Sequence, residues 1–332
     1  MANTVLVTGA AGFIGRHIAL ACATAGWEVT SVDCREAPLD VQQHTRFLRA
    51  DFADPAVIRQ VDAGVFAGVL HQAAISSTLE TDWSLLEATN VRTALDLARA
   101  SIRAGTRFVY ASSSSVYGRV TSRAPVPEDA VDARDACSGP LNLYAHSKLA
   151  LDRIMVETFM SSADWVGLRY TNVFGAGESH KGPMASIISQ LLRKTATSQP
   201  IELFADTLEA CRDYVPVRTV ADTYLRLLQT AVPAGVYNLG AGHAVSFATL
   251  LEWCTVLSDS DQLEVRLIPN PISERYQYWT CADMAKLISA LPGYAVPTTA
   301  DIRTAASALY EGFLLASSPS VIHAARHGAA EG

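Results

Sequence analysis

The chain predicts an α/β fold: a doubly wound parallel sheet joined to a smaller α/β substrate-binding region. Three observations carry this. Short β-branched runs alternate with helical patterns through the first half of the sequence. The strand segments are apolar without interruption, as in parallel sheets covered on both faces. The first of them runs directly into Gly9-Ala10-Ala11-Gly12-Phe13-Ile14-Gly15, a glycine-rich turn between strand and helix that makes the fold Rossmann-type.

Taken in order, Thr4–Thr8 is the first strand, and the helix that follows from Gly12 places Ile14, Ile18 and Cys22 on one face. Glu28–Asp33 is the second strand. Further strands are expected at 46–50, 69–73, 107–112 and Trp165–Tyr170, separated by helical patterns that include 85–104 and Leu143–Phe159. After Tyr170 prolines become frequent and the rhythm less regular, as expected of a substrate-covering region, while 235–240 has the pattern of one more buried strand returning to the first sheet. The expected organisation is therefore discontinuous: 1–171 with 213–242 as the dinucleotide-binding domain, 172–212 with 243–316 as the substrate region, and 317–332 as a disordered tail.

Composition excludes several classes. With 332 residues, 49% of them hydrophobic, the chain can build a full core without a disulfide or metal staple, and no metal is expected. A net charge of −7 argues against a polyanion-binding surface, so nucleic acid is not an expected partner. The six cysteines form no Cys-x-x-Cys pair, and there is no charged segment leading into an apolar one at the start. No stretch approaches the roughly 18 apolar residues that span a bilayer. A cytoplasmic protein with no membrane partner is expected.

The glycine turn has a mechanism in this context. Gly9 permits the tight turn, Gly12 lets backbone N–H groups approach a pyrophosphate, and Gly15 allows close helix packing, with Ala11, Phe13 and Ile14 lining the same turn. Asp33 follows Gly15 by 18 residues at the end of the second strand, placed to accept hydrogen bonds from an adenosine ribose. Its charge favours NAD, whereas Arg35 suits the 2′-phosphate of NADP, and both cofactors stay open. Asp51 and Phe52 end the third strand. They suit either the two sides of an adenine ring or a helix cap before Pro55 and a core ring.

Tyr144-Ala145-His146-Ser147-Lys148 is the acid/base candidate. Removing a hydride from a carbinol requires a base within hydrogen-bond reach of its hydroxyl. A free phenol titrates near about pH 10 and is a poor base at neutral pH. Lys148 lies one helical turn beyond Tyr144, and its charge favours the phenolate. An isolated pair at this spacing is ordinarily a solvated couple; behind a dinucleotide turn and the serine-rich end of a strand, the catalytic reading is favoured.

With GxxGxxG, Ser112-Ser113-Ser114-Ser115-Val116-Tyr117-Gly118 and Tyr-x-x-x-Lys, the chain resembles the extended short-chain dehydrogenase/reductases, through about residue 315. Residues 71–78, Arg169-Tyr170-Thr171-Asn172-Val173-Phe174-Gly175, Arg212-Asp213-Tyr214-Val215 and Arg275-Tyr276-Gln277 are similar to the branch formed by the ADP-L-glycero-D-manno-heptose 6-epimerases. The most specific likeness is His180-Lys181-Gly182-Pro183-Met184-Ala185-Ser186. The resemblance implies a tightly bound NADP or NAD in each subunit, self-association into a homo-oligomer and a nucleotide-sugar substrate. It places Ser113 on the reacting oxygen and Ala73, Ala74 and Asn90 beside the cofactor with Tyr144 and Lys148. Ser76, Ser77, Asn172, His180, Arg212 and Tyr276 fall at substrate positions, with Arg212 and Arg275 suited to a diphosphate. Each arginine has the alternative of a surface ion pair, such as Arg212 with Asp213.

Lys181 is implied to be a second acid/base. The nicotinamide face is fixed, so inversion requires a ketone to present its opposite face to the same hydride. At an exocyclic carbon, rotation about one bond suffices and the oxygen then points elsewhere, so a second proton donor is useful. The expected reaction is epimerisation at exocyclic C6 of ADP-D-glycero-D-manno-heptose through a 6-ketone. Another nucleotide-sugar epimerase, reductase or dehydratase is the alternative, and a non-catalytic cofactor-sensing protein a remoter one. Ser115-Val116 stands where dehydratases of this fold carry Asp-Glu, which disfavours dehydration. The segment 206–211 also departs from the family pattern, in which a bulky aromatic and a basic residue precede the arginine.

Overall fold

A computed structural model describes residues 3–133, 135–159, 164–258 and 263–317. Its centre is a seven-stranded parallel sheet. Strands β1 (Thr4–Thr8), β2 (Glu28–Asp33), β3 (Arg46–Arg49), β4 (Gly68–His71), β5 (Arg107–Ser113) and β6 (Trp165–Tyr170) are joined by a last strand, Gly235–Leu239. The spatial order is β3-β2-β1-β4-β5-β6 and then Gly235–Leu239, which pairs with β6. The order reverses between β1 and β4, and in such sheets ligands bind at the strand ends beside that reversal.

Alternation along β1 explains why both faces are covered. Val5 and Val7 enter one core with Ile18 and Cys22 of helix Phe13–Thr24, whereas Leu6 enters a second core with Leu97 and Met155. A third core, around Phe174, Tyr214, Phe247 and Trp253, belongs to the segments beyond the sheet. There the strands come in pairs: Asn172–Phe174 with Tyr214–Pro216, Cys211–Arg212 with Val245–Ser246, and Ile201–Phe204 with Val265–Ile268.

Two expected elements end differently. The strand expected at 69–73 stops at His71, because the N–H groups of Gln72 and Ala73 turn to donate to Thr8 Oγ1, each at 3.2 Å. The helix expected at 85–104 is α-helical at Trp83–Leu86, a π-helix at Glu87–Thr93 and α-helical again at Ala94–Arg103. Residues 318–332 of the expected tail lie outside the described residues. Among the described residues no helix is long and apolar enough to cross a membrane.

Candidate active site

The glycine turn is built for close backbone approach. Gly9 has φ +72°, and a Cβ there would lie 2.6 Å from Ala73 N. A Cβ on Gly15 would overlap the carbonyl oxygen of Gly9. Gly12 is the N-cap of Phe13–Thr24 and provides no side-chain cap, leaving the first helical N–H groups for an anion. Asp33 is buried at the end of β2. Its Oδ2 accepts from Ala11 N at 3.0 Å, and its Oδ1 accepts from Arg35 N at 3.0 Å, with Arg35 Nε at 3.4 Å. The Arg35 side chain is 58% exposed, free to meet a ligand. Beside it an open cleft of about 520 Å³ is lined by Ala11, Arg16, Arg35, Ser179 and His180, among others.

Asp51 and Phe52 differ in their surroundings. Asp51 is exposed and accepts from Ala53 N at 2.8 Å, while the cap of helix Pro55–Asp62 is Asp54, bonded to Ala56 N. Asp51 as the helix cap is thus corrected to Asp54. Phe52 is buried, with its ring 4.8 Å from that of His71. Asn90 is buried on the π-helix. Its oxygen accepts from Ile75 N at 2.8 Å, and its amide hydrogens go to Ile75 O at 2.9 Å and Ser147 Oγ at 3.0 Å. Both donors are therefore spent on pinning the loop of Ala73, Ala74 and Ile75 to the helix of Tyr144.

Tyr144 and Lys148 project from helix Leu143–Phe159 toward β5. Burial pushes the Tyr144 phenol up, a hydrogen bond with Ser113 draws it down, and the Asp152 charge pushes it up. Lys148 Nζ donates to Ala111 O at 2.8 Å and lies 5.9 Å from the Tyr144 ring centroid. Burial lowers the lysine to about 8, against the charge of Asp152. Ser113 Oγ also accepts from Ser115 N at 3.2 Å and bonds Ser115 Oγ at 2.8 Å. Tyr144, Lys148 and Ser113 are thus brought together.

Lys181 stands apart from this group. It lies in the turn Ser179–Met184, its Nζ 4.8 Å from the Phe13 ring centroid and 3.5 Å from Glu178 Oε1. Glu178 is buried and accepts from Ser186 N and Ser186 Oγ, both at 2.7 Å, and from Ser189 Oγ at 2.6 Å. Ser186 caps helix Ile187–Ala196, so the buried carboxylate sits at a helix N-terminus that favours its charge. His180 Nδ1 bonds Gly177 O at 2.8 Å.

Of the remaining substrate candidates, Ser76 is exposed, and the Ser77 hydroxyl accepts from Leu79 N at 3.2 Å. Asn172 spends its amide hydrogens on Asp213 O at 3.2 Å and Thr280 Oγ1 at 3.0 Å. The Arg212–Asp213 ion pair does not form. Asp213 is buried among backbone donors, Ala241 N at 2.7 Å, Ala282 N at 2.9 Å and Gly242 N at 3.2 Å. The Arg212 guanidinium instead lies 5.1 Å from the Tyr276 ring and 5.6 Å from that of Phe247. The Arg275 side chain lies outside the described residues.

Sequence reasoning missed Asp152, Arg169 and Glu178, three buried charges around these candidates. The available signal was spacing, since Tyr144, Lys148 and Asp152 follow one another at four-residue intervals on one helix face.

Fold and site together define a dinucleotide-dependent enzyme of the Rossmann type. Residues 5–240 match the NAD dependent epimerase/dehydratase family, and the chain belongs to that family. Among solved structures it is similar to the ADP-L-glycero-D-manno-heptose-6-epimerase of Helicobacter pylori, at 26% identity and TM-score 0.80, over 94% of this chain and 96% of that one. MoeE5 in complex with UDP-glucose and NAD matches at 28% identity and TM-score 0.78, over 95% of this chain and 100% of that one. A Thermus thermophilus UDP-glucose 4-epimerase in complex with NAD matches at 26% and TM-score 0.76, over 93% and 99%. The chain is accordingly an enzyme of the nucleotide-sugar epimerase/dehydratase family with an NAD-type cofactor.

Proposed function

We propose that the enzyme inverts exocyclic C6 of ADP-D-glycero-D-manno-heptose, with Tyr144 and Lys181 as its two acid/base groups. The observation that carries this is the pairing of a Tyr144–Ser113–Lys148 centre with a lysine lying over the first aromatic residue of the glycine turn. NAD or NADP fits that turn, since Gly9, Gly12 and Gly15 add no side chain of their own at the helix N-terminus and Asp33 faces it through Ala11. When bound, the cofactor supplies a reversible hydride acceptor, so the reaction has no net redox change.

In this reading Tyr144 takes the proton of the C6 hydroxyl of one epimer while Ser113 bonds the same oxygen. Lys148, anchored on Ala111 O, holds positive charge beside the phenol and favours its ionised form. After rotation about the bond between C6 and the ring, Lys181 serves the oxygen in its second position. Arg212, stacked between two rings and without a carboxylate partner among the described ion pairs, suits the diphosphate. Arg35 and His180 border the cleft beside Asp33, the place for an adenosine ribose and, with NADP, its 2′-phosphate.

A different nucleotide sugar is the second reading. It is favoured by the departure at 206–211, where Asp206 accepts from Tyr278 OH at 2.5 Å and from Asn270 Nδ2 at 3.2 Å. The test is to incubate the protein with ADP-D-glycero-D-manno-heptose and, separately, with UDP-glucose, and to follow epimer ratios by NMR. Wild type is expected to equilibrate C6 of the heptose. Tyr144→Phe and Lys181→Ala each lose on the order of 10²–10⁴ in rate. An unchanged C6 ratio alongside turnover of UDP-glucose would sink the heptose assignment.

A further inference from the structure

Helix Leu143–Phe159 meets β5 through one polar rung per turn. Tyr144 bonds Ser113, and Lys148 bonds Ala111 O at 2.8 Å. One turn further, Asp152 Oδ1 accepts from Tyr110 OH at 2.9 Å, and its Oδ2 accepts from Ser112 Oγ at 2.9 Å and Arg169 Nε at 2.8 Å. Four consecutive residues of β5 thus engage three successive turns of the helix. Only the last rung is a fully buried ion pair, with the two side chains 4% and 2% exposed. Arg169 is itself held from β6 by Tyr117 OH at 3.1 Å and Glu128 O at 2.7 Å.

We propose that Asp152 is a positioning residue for the acid/base pair: clamped by Arg169, Tyr110 and Ser112, it fixes the register of the helix on β5 that brings Tyr144 to Ser113 and Lys148 to Ala111. This rests on the reading of Tyr144 as the acid/base group. The physical case is one of cost. A buried carboxylate with three donors has one low-energy position, and moving the helix along the strand strands both its charge and that of Arg169 without a partner. The Tyr144 and Lys148 rungs are single hydrogen bonds and tolerate such a slide more readily.

The same anion acts on the pair through space. The groups facing Lys148 are Tyr144 and Asp152 on its own helix and His71 on β4, the last held neutral by burial at about 3, while Tyr110 on β5 and Arg169 on β6 reach it only through Asp152. Those facing Tyr144 are Lys148, Ser113, Asp152 and Tyr170. Asp152 raises the proton affinity of both Tyr144 and Lys148, so losing its charge moves both titrations in the same direction, toward lower pH.

The test compares Asp152→Asn with the paired variant Asp152→Asn/Arg169→Gln, which leaves no buried guanidinium unpartnered. Rates are measured on whichever nucleotide sugar the wild type turns over and are normalised to the cofactor-bound fraction. In Asp152→Asn both limbs of the kcat profile are expected to slide to lower pH by about one unit. The Tyr144 tyrosinate band moves with them, read in the ultraviolet as the difference between each protein and its Tyr144→Phe counterpart. In the paired variant kcat falls at least about tenfold with KM little changed, because the reacting geometry is loosened and the binding groups are not. Limbs that stay in place in the single variant, or a paired variant with kcat within about twofold of wild type, overturn the proposal. An active Tyr144→Phe protein overturns the underlying reading of Tyr144 instead, so the two failures are separable.

Discussion

Replacing Gly9 by alanine tests whether the glycine turn is a backbone requirement or only a strand terminator. Gly9 and Gly26 share a left-handed backbone, at φ +72° and +85°, but differ in surroundings. A Cβ on Gly26 meets nothing within 4 Å, whereas one on Gly9 would lie 2.6 Å from Ala73 N and 2.8 Å from Gln72 C. The left-handed conformation costs an L-residue about 1–2 kcal/mol, and this is all that Gly26→Ala incurs. Gly9→Ala adds an overpacking cost of about 1–3 kcal/mol, since the opposing atoms are backbone held by Thr8 Oγ1 and cannot rotate away. The expected difference between the two variants is therefore about 1–3 kcal/mol in urea unfolding, read as a shift of midpoint at constant slope. Because Gly9 and Ala73 together shape the cofactor turn, calorimetric NAD affinity is expected to drop at least about tenfold in Gly9→Ala and to hold in Gly26→Ala. Equal midpoints and equal affinities in the two variants would refute the argument.

Two further outcomes follow from single residues. His71 is buried against Phe52, bonded to Thr8 Oγ1 at 2.8 Å, and lowered from 6.5 to about 3 by burial and by the Lys148 charge. The unfolded chain therefore binds the extra proton first as pH falls below about 6.5, and the folded state loses stability from there down toward about 3, at up to about 1.4 kcal/mol per pH unit. Between about pH 7 and pH 4.5 the unfolding free energy from urea titrations is expected to fall by about 2–3 kcal/mol more for wild type than for His71→Asn; parallel losses would show that His71 is not the group responsible. For Arg212→Lys, which keeps the charge but loses the guanidinium fork held over Tyr276 and Phe247, KM for the nucleotide sugar is expected to rise about tenfold with kcat little changed. An unaltered KM would remove Arg212 from the diphosphate site.

What the sequence made legible is local in nature. The glycine turn with Asp33, and the Tyr144–Lys148 pair, are each fixed by spacing within one or two elements. The fates of Arg212 and Asn172 depend on segments distant in sequence. Asp213 went to the backbone of Ala241, Gly242 and Ala282, and this freed Arg212 for two aromatic rings. Asp152 and Arg169 were illegible for a related reason: a charge on a helix or strand is ordinarily a solvated one, and only tertiary packing buries both ends of the pair. The π-helix that carries Asn90 has no propensity signature either, although it turns that amide onto Ile75 and Ser147.

The two acid/base candidates hang on independent frameworks, and this bears on how inversion is divided between them. Tyr144 and Lys148 take their places from β5, through Ser113 and Ala111. Lys181 takes its place from Glu178, which is tied in turn to Ser186 and Ser189 at the start of another helix. The glycine turn is where the frameworks meet. Phe13 carries the Lys181 ammonium on one side, and on the other Gly9 packs on Ala73, whose loop Asn90 fastens to the helix of Tyr144. In the proposed reading, a cofactor seated on that turn is addressed from both frameworks. The proposed inversion is served by such an arrangement, because a single rigid group of donors is matched to one position of the oxygen, and an exocyclic oxygen that rotates away then finds a second donor already in place.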